Sequence, residues 1–389
     1  MNFEFATATR IVFGPGSIQQ LEAISKSLGA KPLLVIGIAP ARVPKSAAFI
    51  SAATMSVAGE PTFDLVRAGV AKAREAGCDS VISIGGGSAI DTGKAIAALL
   101  TNGGDPLDYA EVIGEGKPIT KPSLPLIAVP TTAGAGAEVT RNAVLCSTEH
   151  KFKVSLRSPT MLPTVALVDP ELTLDLPPAI TAATGMDALS QVIEPFVSIR
   201  SNPMVDAICR EGIIRIARSI RVAFEDGKNL EARTDMSLGA LFGGMALANA
   251  GLGAVHGFAA PIGGMFPAPH GAVCAALLAP VMEMNMAALA VRGAGSPVLK
   301  MWEHGGAKLN RYEVLACLLT HRTDASVADG VEWLRLLSRD LKIPALRNFG
   351  IGEADVATIC EKAAAASSMK ANPIVLTKDE LTAILRAAL

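Results

Sequence analysis

Three side chains, one near the middle of the sequence and two further on, carry the chemistry of a divalent-metal site. The segment Thr184–Gln191 begins a run that reads as a helix. On it Asp187, Gln191 and Glu194 recur at i, i+4 and i+7 and so share one face. Far downstream, His256 and His270 lie inside a stretch from Met236 to Met282 that holds no Asp, Glu, Lys or Arg. A carboxylate with two imidazoles suits Fe(II) and leaves coordination positions open for a substrate. A lone histidine in an apolar run is ordinarily a hydrogen-bonded core residue. Two of them, with an aspartate on an Ala-rich helix, make a metal site a reading of equal standing. The other three histidines, His150, His304 and His321, sit among charged or polar neighbours and read as surface.

A second kind of chemistry is anion binding. Gly85-Gly86-Gly87-Ser88 follows the apolar run Ser80–Ile84 and precedes a helix from Ser88 to about Leu100. Glycines let a backbone approach a phosphate closely, and a helix N-terminus offers unpaired N–H groups at its positive end. The bland alternative is a tight strand-to-helix turn with no ligand. The spacing matches neither G-x-G-x-x-G nor G-x-x-x-x-G-K-[ST]. Ser88 and Asp91 loosely fit a capping box. A second loop of small and hydroxylated residues, Pro130–Thr140 with Thr131 and Thr132, also follows a strand-like run. Two such loops at strand ends reinforce one another, because ligands of parallel sheets sit outside the carboxyl ends of the strands.

The elements that must position these groups fall into two textures. In the first part, Arg10–Phe13, Leu33–Ile38, Ser80–Ile84, Leu124–Val129 and Thr164–Val168 read as strands. They alternate with helices, one starting near a cap at Ser17 and another running from about Pro61 to Gly77. Such alternation implies a parallel sheet with crossover helices. After Leu176-Pro177-Pro178 strand signals nearly vanish. Pro203–Phe224, Leu230–Ala248 and Val273–Leu289 read as helices, so the division expected is an α/β domain over 1–174 and an all-helical domain over 175–389.

Composition closes off several other functions. Half of the 389 residues are hydrophobic, enough for large cores and too many for disorder. A formal net charge of −1 without a basic run speaks against nucleic acid. Six scattered cysteines with no CxxC pair read as reduced thiols, and the N-terminus lacks a signal-peptide pattern. The uncharged stretch is broken by glycines, four prolines and two histidines, which fits a buried core around a polar site better than a membrane span.

Together these segments resemble the iron-containing, group III alcohol dehydrogenases. The resemblance runs over nearly the whole chain, through IVFGPGS, IGGGSAIDTGKAIA, VPTTAGAGAEVT, VALVDPELTLDLPP, ATGMDALSQVIEPFVS, GLGAVHGFAAPIGG, PHGAVCAALLAPVMEMN and NPIVLTKDEL, in order and spacing. It implies a dinucleotide-binding α/β domain and an all-α C-terminal domain of the dehydroquinate synthase-like kind, with a cleft between them. It further implies NAD or NADP, a divalent metal such as Fe2+ or Zn2+, and an alcohol or aldehyde substrate. A homodimer or larger oligomer in the cytoplasm, with no nucleic-acid or membrane partner, completes the expectation. By position, Gly85, Gly86, Gly87 and Ser88 match the pyrophosphate loop and Thr131 and Thr132 nucleotide contacts. Lys153 resembles the lysine at the nicotinamide ribose; its alternative is an ordinary surface lysine. Asp187, His256 and His270 match three of four metal ligands.

The departures are specific. Gln191 stands where the family has its first ligand histidine, which makes its neutral amide oxygen the fourth candidate metal donor beside Asp187, His256 and His270, a weaker one than imidazole; Ala260 stands where many relatives carry a further histidine. Gly37 stands near the place of an acidic residue that favours NAD, with Arg42 close by, so NADP is permitted. Two other readings stay open. One is a maleylacetate reductase-like enzyme with little metal dependence, its acidic substrate met by residues such as Arg141 or Arg157. The other is a nucleotide-binding relative without catalysis.

Overall fold

The computed structural model describes residues 2–389 except 40–41, 49–52, 112, 148, 150–151 and 305; His150 therefore lies outside the described residues. The chain divides into two compact units, Ala6–Asp175 and Leu176–Leu389, the second including the first five residues.

The first unit is built on six parallel strands: β1 (Arg10–Phe13), β2 (Pro32–Ile36), β3 (Ala53–Ser56), β4 (Ser80–Gly85), β5 (Leu126–Pro130) and β8 (Val165–Val168). Their order is β1-β8-β5-β4-β2-β3. β2, β4, β5 and β8 are buried along their whole length, as a sheet covered on both faces requires. One face packs Leu33, Val35 and Val81 against Val66 and Val70 of α2 (Phe63–Glu75) and Ile96 and Leu99 of α3 (Gly87–Asn102). The other packs Leu34, Ile36, Ile82 and Ile84 with Leu21 and Ile24 of the short helix α1 (Leu21–Lys26). The alternation read from the sequence is thus the fold of this unit.

Two capping expectations are corrected. Gly16, not Ser17, stands at the cap of the first helical turn. The amides of Gly16 and Ile18 are taken by the Asp169 carboxylate from the end of β8, at 3.2 and 3.0 Å. Ser88 and Asp91 form no capping box: α3 is preceded by Gly86 and has no side-chain cap. Asp91 instead accepts from the Val144 amide at 3.0 Å and pairs with Lys94 at 3.2 Å. The antiparallel hairpin of β6 (Asn142–Ser147) and β7 (Phe152–Arg157), and strand β3, were not read from the sequence.

The second unit is helical: α4 (Pro178–Phe196), α5 (Pro203–Glu225), α6 (Leu230–Ala250), α7 (Ala254–Met265), α8 (His270–Arg292), α9 (Arg311–Thr320), α10 (Val327–Asp340), α11 (Val356–Ala365) and α12 (Lys378–Ala388). A two-stranded hairpin, β9 (Trp302–His304) and β10 (Ala307–Leu309), interrupts it. Helix α4 lies at the centre, against α5, α6 and α8. Helix α8 is long and apolar enough to cross a membrane by length and composition, but 67% of that stretch is buried inside the protein. Helices α6 and α7 meet at a 99° bend, at Gly251, whose φ is +70°.

Candidate functional site

The Ala-rich helix α4 presents Asp187, Gln191 and Glu194 along one buried face, at 4%, 3% and 2% exposure. Two further helix starts meet this face. Helix α7 carries His256 in its first turn, and α8 opens with His270. The close approach of α8 needs Gly271, because a Cβ there would stand 2.2 Å from the Ala183 carbonyl oxygen of α4. Four donor atoms, from Asp187, His256, His270 and Cys274, lie within 4.8 Å of one another. Asp187 Oδ1 is 3.3 Å from His256 Nε2 and 3.8 Å from His270 Nε2. Cys274 Sγ is 3.8 Å from His256 Nε2 and 3.7 Å from His270 Nε2. His256 and Asp187 are enclosed, whereas the His270 side chain is 39% exposed and forms the open side of the cluster.

Glu194 holds the cluster's orientation. Its Oε1 accepts the Val255 amide at 2.7 Å, capping the start of α7, where a negative charge is favoured. Its Oε2 accepts a hydrogen bond from His256 Nδ1 at 2.6 Å, which leaves Nε2 turned toward Asp187. The neighbouring Ala254 amide donates to Asn372 Oδ1 at 3.1 Å, so the NPIVLT segment fixes the same turn.

Burial pulls the His256 imidazole toward neutrality, but Cys274, Asp187 and Glu194 outweigh it and hold it well above the ordinary value. Cys274 chiefly raises His270 as well. Burial works to raise both Asp187 and Cys274; the two imidazoliums overcome it and hold both low. The cluster is therefore a set of coupled acids and bases around one point, of the donor types that a divalent cation takes on loss of their protons. A further observation points the same way. Asp187 Oδ1 is buried and makes no hydrogen bond of good geometry, and its near polar neighbours are the two imidazole Nε2 atoms, so it is a donor free to turn to an ion between them. The donors present fit a divalent ion.

Gln191 is placed differently. It contacts Asp187 and helps hold that carboxyl low, while its Oε1 is buried, unpartnered and 3.4 Å from where a Cβ on Gly243 of α6 would stand. Cys274 and the role of Glu194 were missed in the sequence. Ala260 is exposed on α7, one turn beyond His256.

In the α/β unit, Gly85–Ser88 form the turn from β4 into α3, with the uncapped N-terminus of a long helix beyond. Thr131, buried, and Thr132, half-buried, leave β5 beside it; the Thr131 amide donates to the Gly85 carbonyl at 2.9 Å. The buried Lys94 ammonium fastens the second loop to α3 through Thr140 Oγ1 at 2.7 Å and the Asn142 carbonyl at 2.9 Å. Lys153, on β7, pairs with Glu60 at 2.9 Å. Gly37, at the end of β2, is pressed against α3: a Cβ there would lie 2.8 Å from Ala89 Cβ. A side chain at that spot would require α3 or the strand end to shift. Arg42 reaches the Leu172 carbonyl at 3.4 Å, and Arg157 lies 3.5 Å from Glu111. His321 is exposed, while His304 is half-buried against Arg210.

The chain thus joins a doubly covered parallel sheet with a glycine turn to a helical unit carrying a carboxylate–imidazole cluster. The comparisons with known proteins identify the family. The model of iron-containing alcohol dehydrogenase matches residues 8–170, and that of the Fe-containing alcohol dehydrogenase family, C-terminal part, matches 181–389. The chain is 35% identical to the 1,3-propanediol dehydrogenase of Klebsiella pneumoniae, over 99% of this chain and 98% of that one. It is 38% identical to alcohol dehydrogenase 4 of Saccharomyces cerevisiae, over 84% and 80%. Among solved structures, a 1,3-propanediol oxidoreductase superposes with a TM-score of 0.88 at 33% identity, all of both chains covered. The chain belongs to the iron-containing alcohol dehydrogenase family and is an NAD(P)-dependent alcohol oxidoreductase.

Proposed function

We propose that the chain transfers a hydride reversibly between NAD(P) and the carbon of a small alcohol or its aldehyde, with metal assistance. The observation that carries this reading is the buried cluster of Asp187, His256 and His270, in which an unpartnered carboxylate oxygen faces two imidazole nitrogens. These three residues would hold the ion, with Gln191 at the side of Asp187. A bound divalent metal supplies Lewis acidity toward the substrate oxygen, and the nicotinamide carries the hydride. The rest is done by the chain. Glu194 keeps a proton on His256 Nδ1 and so presents Nε2. The backbone of Gly85, Gly86, Gly87 and Ser88 offers amides to a pyrophosphate, with Thr131 and Thr132 alongside. Lys153 is the candidate for the nicotinamide ribose.

The absence of an acidic side chain at Gly37 supports acceptance of both NAD and NADP, with Arg42 near a 2′-phosphate. A division of labour at residue 175 between nucleotide and metal units, a homo-oligomer and a cytoplasmic setting belong to the same reading; six unpaired cysteines agree with the last. The relatives' names run from 1,3-propanediol and choline through long-chain alcohols to the acidic 4-hydroxybutyrate, so the screen includes neutral, cationic and acidic substrates.

The test is a spectrophotometric screen of alcohols and aldehydes with both dinucleotides, before and after chelation. Turnover should vanish on chelation and return with Fe(II) or Zn(II). Full activity in metal-free protein would refute the metal's part. Dinucleotide binding with no turnover on any substrate would favour a non-catalytic relative.

A further inference from the structure

We propose that Cys274 Sγ is the fourth protein donor to the metal, replacing the imidazole that the chain lacks at position 191. The proposal rests on the metal reading above and goes beyond it, because neither composition nor family position assigns this cysteine a role.

Four observations converge on it. Cys274 is fully buried and sits one turn beyond His270 on α8, so both side chains leave the same helix face toward Asp187. Its sulfur is nearly equidistant from the two imidazole nitrogens, at 3.8 and 3.7 Å. Bond lengths typical of zinc give tetrahedral edges of about 3.3 Å between nitrogen and oxygen donors and about 3.5 Å between thiolate and nitrogen. Four of the six edges are 3.3 and 3.8 Å from Asp187 and 3.7 and 3.8 Å from Cys274, and all six lie within 4.8 Å, so those four close on an ion with contractions of up to about half an ångström. The Gln191 side chain, by contrast, contacts Asp187 and leaves α4 beside Gly243 of α6, with its Oε1 unpartnered. Gln191 thus buttresses the carboxylate while the thiol fills the vacant donor role.

Charge supports the same arrangement. One carboxylate, one thiolate and two neutral imidazoles cancel a dication inside a buried site, where uncompensated charge is costly. On metal entry the Cys274 thiol and any imidazolium release their protons to solvent, and the sulfur–metal bond forms in their place. A thiolate in the set also softens the site and shifts its preference from iron toward zinc.

Cobalt(II), added to chelator-stripped full-length protein, is the probe. The expected result is one cobalt per chain with an intense thiolate-to-cobalt charge-transfer band in the near ultraviolet. Cys274→Ser should lose the band and hold cobalt at least about tenfold more weakly. Cys274→Asp, which keeps a donor, should bind without the band, and Gln191→Ala should retain it. One cobalt per chain with no thiolate band, or a band that survives in Cys274→Ser or Cys274→Asp, overturns the assignment and leaves the Asp187, His256 and His270 reading intact. Failure of the wild-type protein to bind cobalt at all overturns both.

Discussion

A single carboxylate, Glu194, performs two tasks that bear on the cluster's affinity. One oxygen caps α7 through Val255, and the other fixes the tautomer of His256. Glu194→Gln keeps the shape but supplies one accepting oxygen where two are used. His256 then loses its anionic partner and is free to present either nitrogen. Zinc affinity measured by calorimetric titration should fall about 10- to 100-fold, the usual cost of removing such a supporting bond. Unchanged affinity would mean that His256 does not serve the ion through Nε2. The residues of this cluster were unequally legible. Asp187 and Glu194 were on one face by spacing alone, but the task of Glu194 depends on the start of α7, where Pro261 and many glycines obscure the helical pattern. Cys274 was hidden by a boundary. With the helix read from Val273, His270 lay outside it and the i, i+4 relation to Cys274 was invisible; α8 in fact opens at His270.

At the scale of elements, α5 and α6 are joined by Asp235. It accepts from Arg218 at 2.6 and 2.8 Å, Arg215 at 2.8 Å and Ser219 at 2.6 Å. Burial acts to raise this carboxyl, but the hydrogen bonds from Arg218, Ser219 and Arg215 outweigh it and hold it below the ordinary range. A carboxyl depressed in the folded state adds stability that is fully present above its unfolded pKa, near 4, and is lost as pH falls through the folded value. Asp235→Asn should therefore lower stability at neutral pH by about 2 kcal/mol. That is less than the roughly 3–5 kcal/mol of a fully buried pair, because both arginines keep contact with water. Its acid limb, followed by denaturant unfolding between neutral pH and pH 3, should be shallower than that of the wild type. Parallel limbs would show that Asp235 does not titrate differently on folding. The elements themselves were legible where periodicity is strong. The buried strands β2, β4 and β5 are short apolar runs, and α5 and α6 follow helical spacing. The hairpin of β6 and β7 does alternate, with Ala143, Leu145, Val154 and Leu156 buried between more exposed positions, but each strand offers only two large or small apolar residues at that spacing, a weak signal beside the continuous runs of the main sheet. Strand β3 is a four-residue segment at the edge of the sheet, too short for a pattern.

For the whole molecule, the dinucleotide reading makes a thermodynamic claim that does not require knowing the substrate. A ligand that binds only the folded chain stabilises it by RT ln(1 + [L]/Kd), about 2.7 kcal/mol at a hundredfold excess over Kd. For a unit the size of Ala6–Asp175 this corresponds to a rise in unfolding temperature of about 5–10 °C. The shift should appear with NAD or NADP, grow logarithmically with concentration, and be absent with a nucleoside lacking phosphates. Gly87→Val tests where it arises. A Cβ at Gly87 already stands 3.1 Å from Ala135 Cβ, so a branched side chain must project over the free amides that open α3. That variant should lose most of the nucleotide-induced shift. Its own melting temperature should fall only modestly, because the turn is partly exposed and the buried sheet beneath it is untouched. A full shift in Gly87→Val would place the pyrophosphate elsewhere and detach the glycine turn from catalysis.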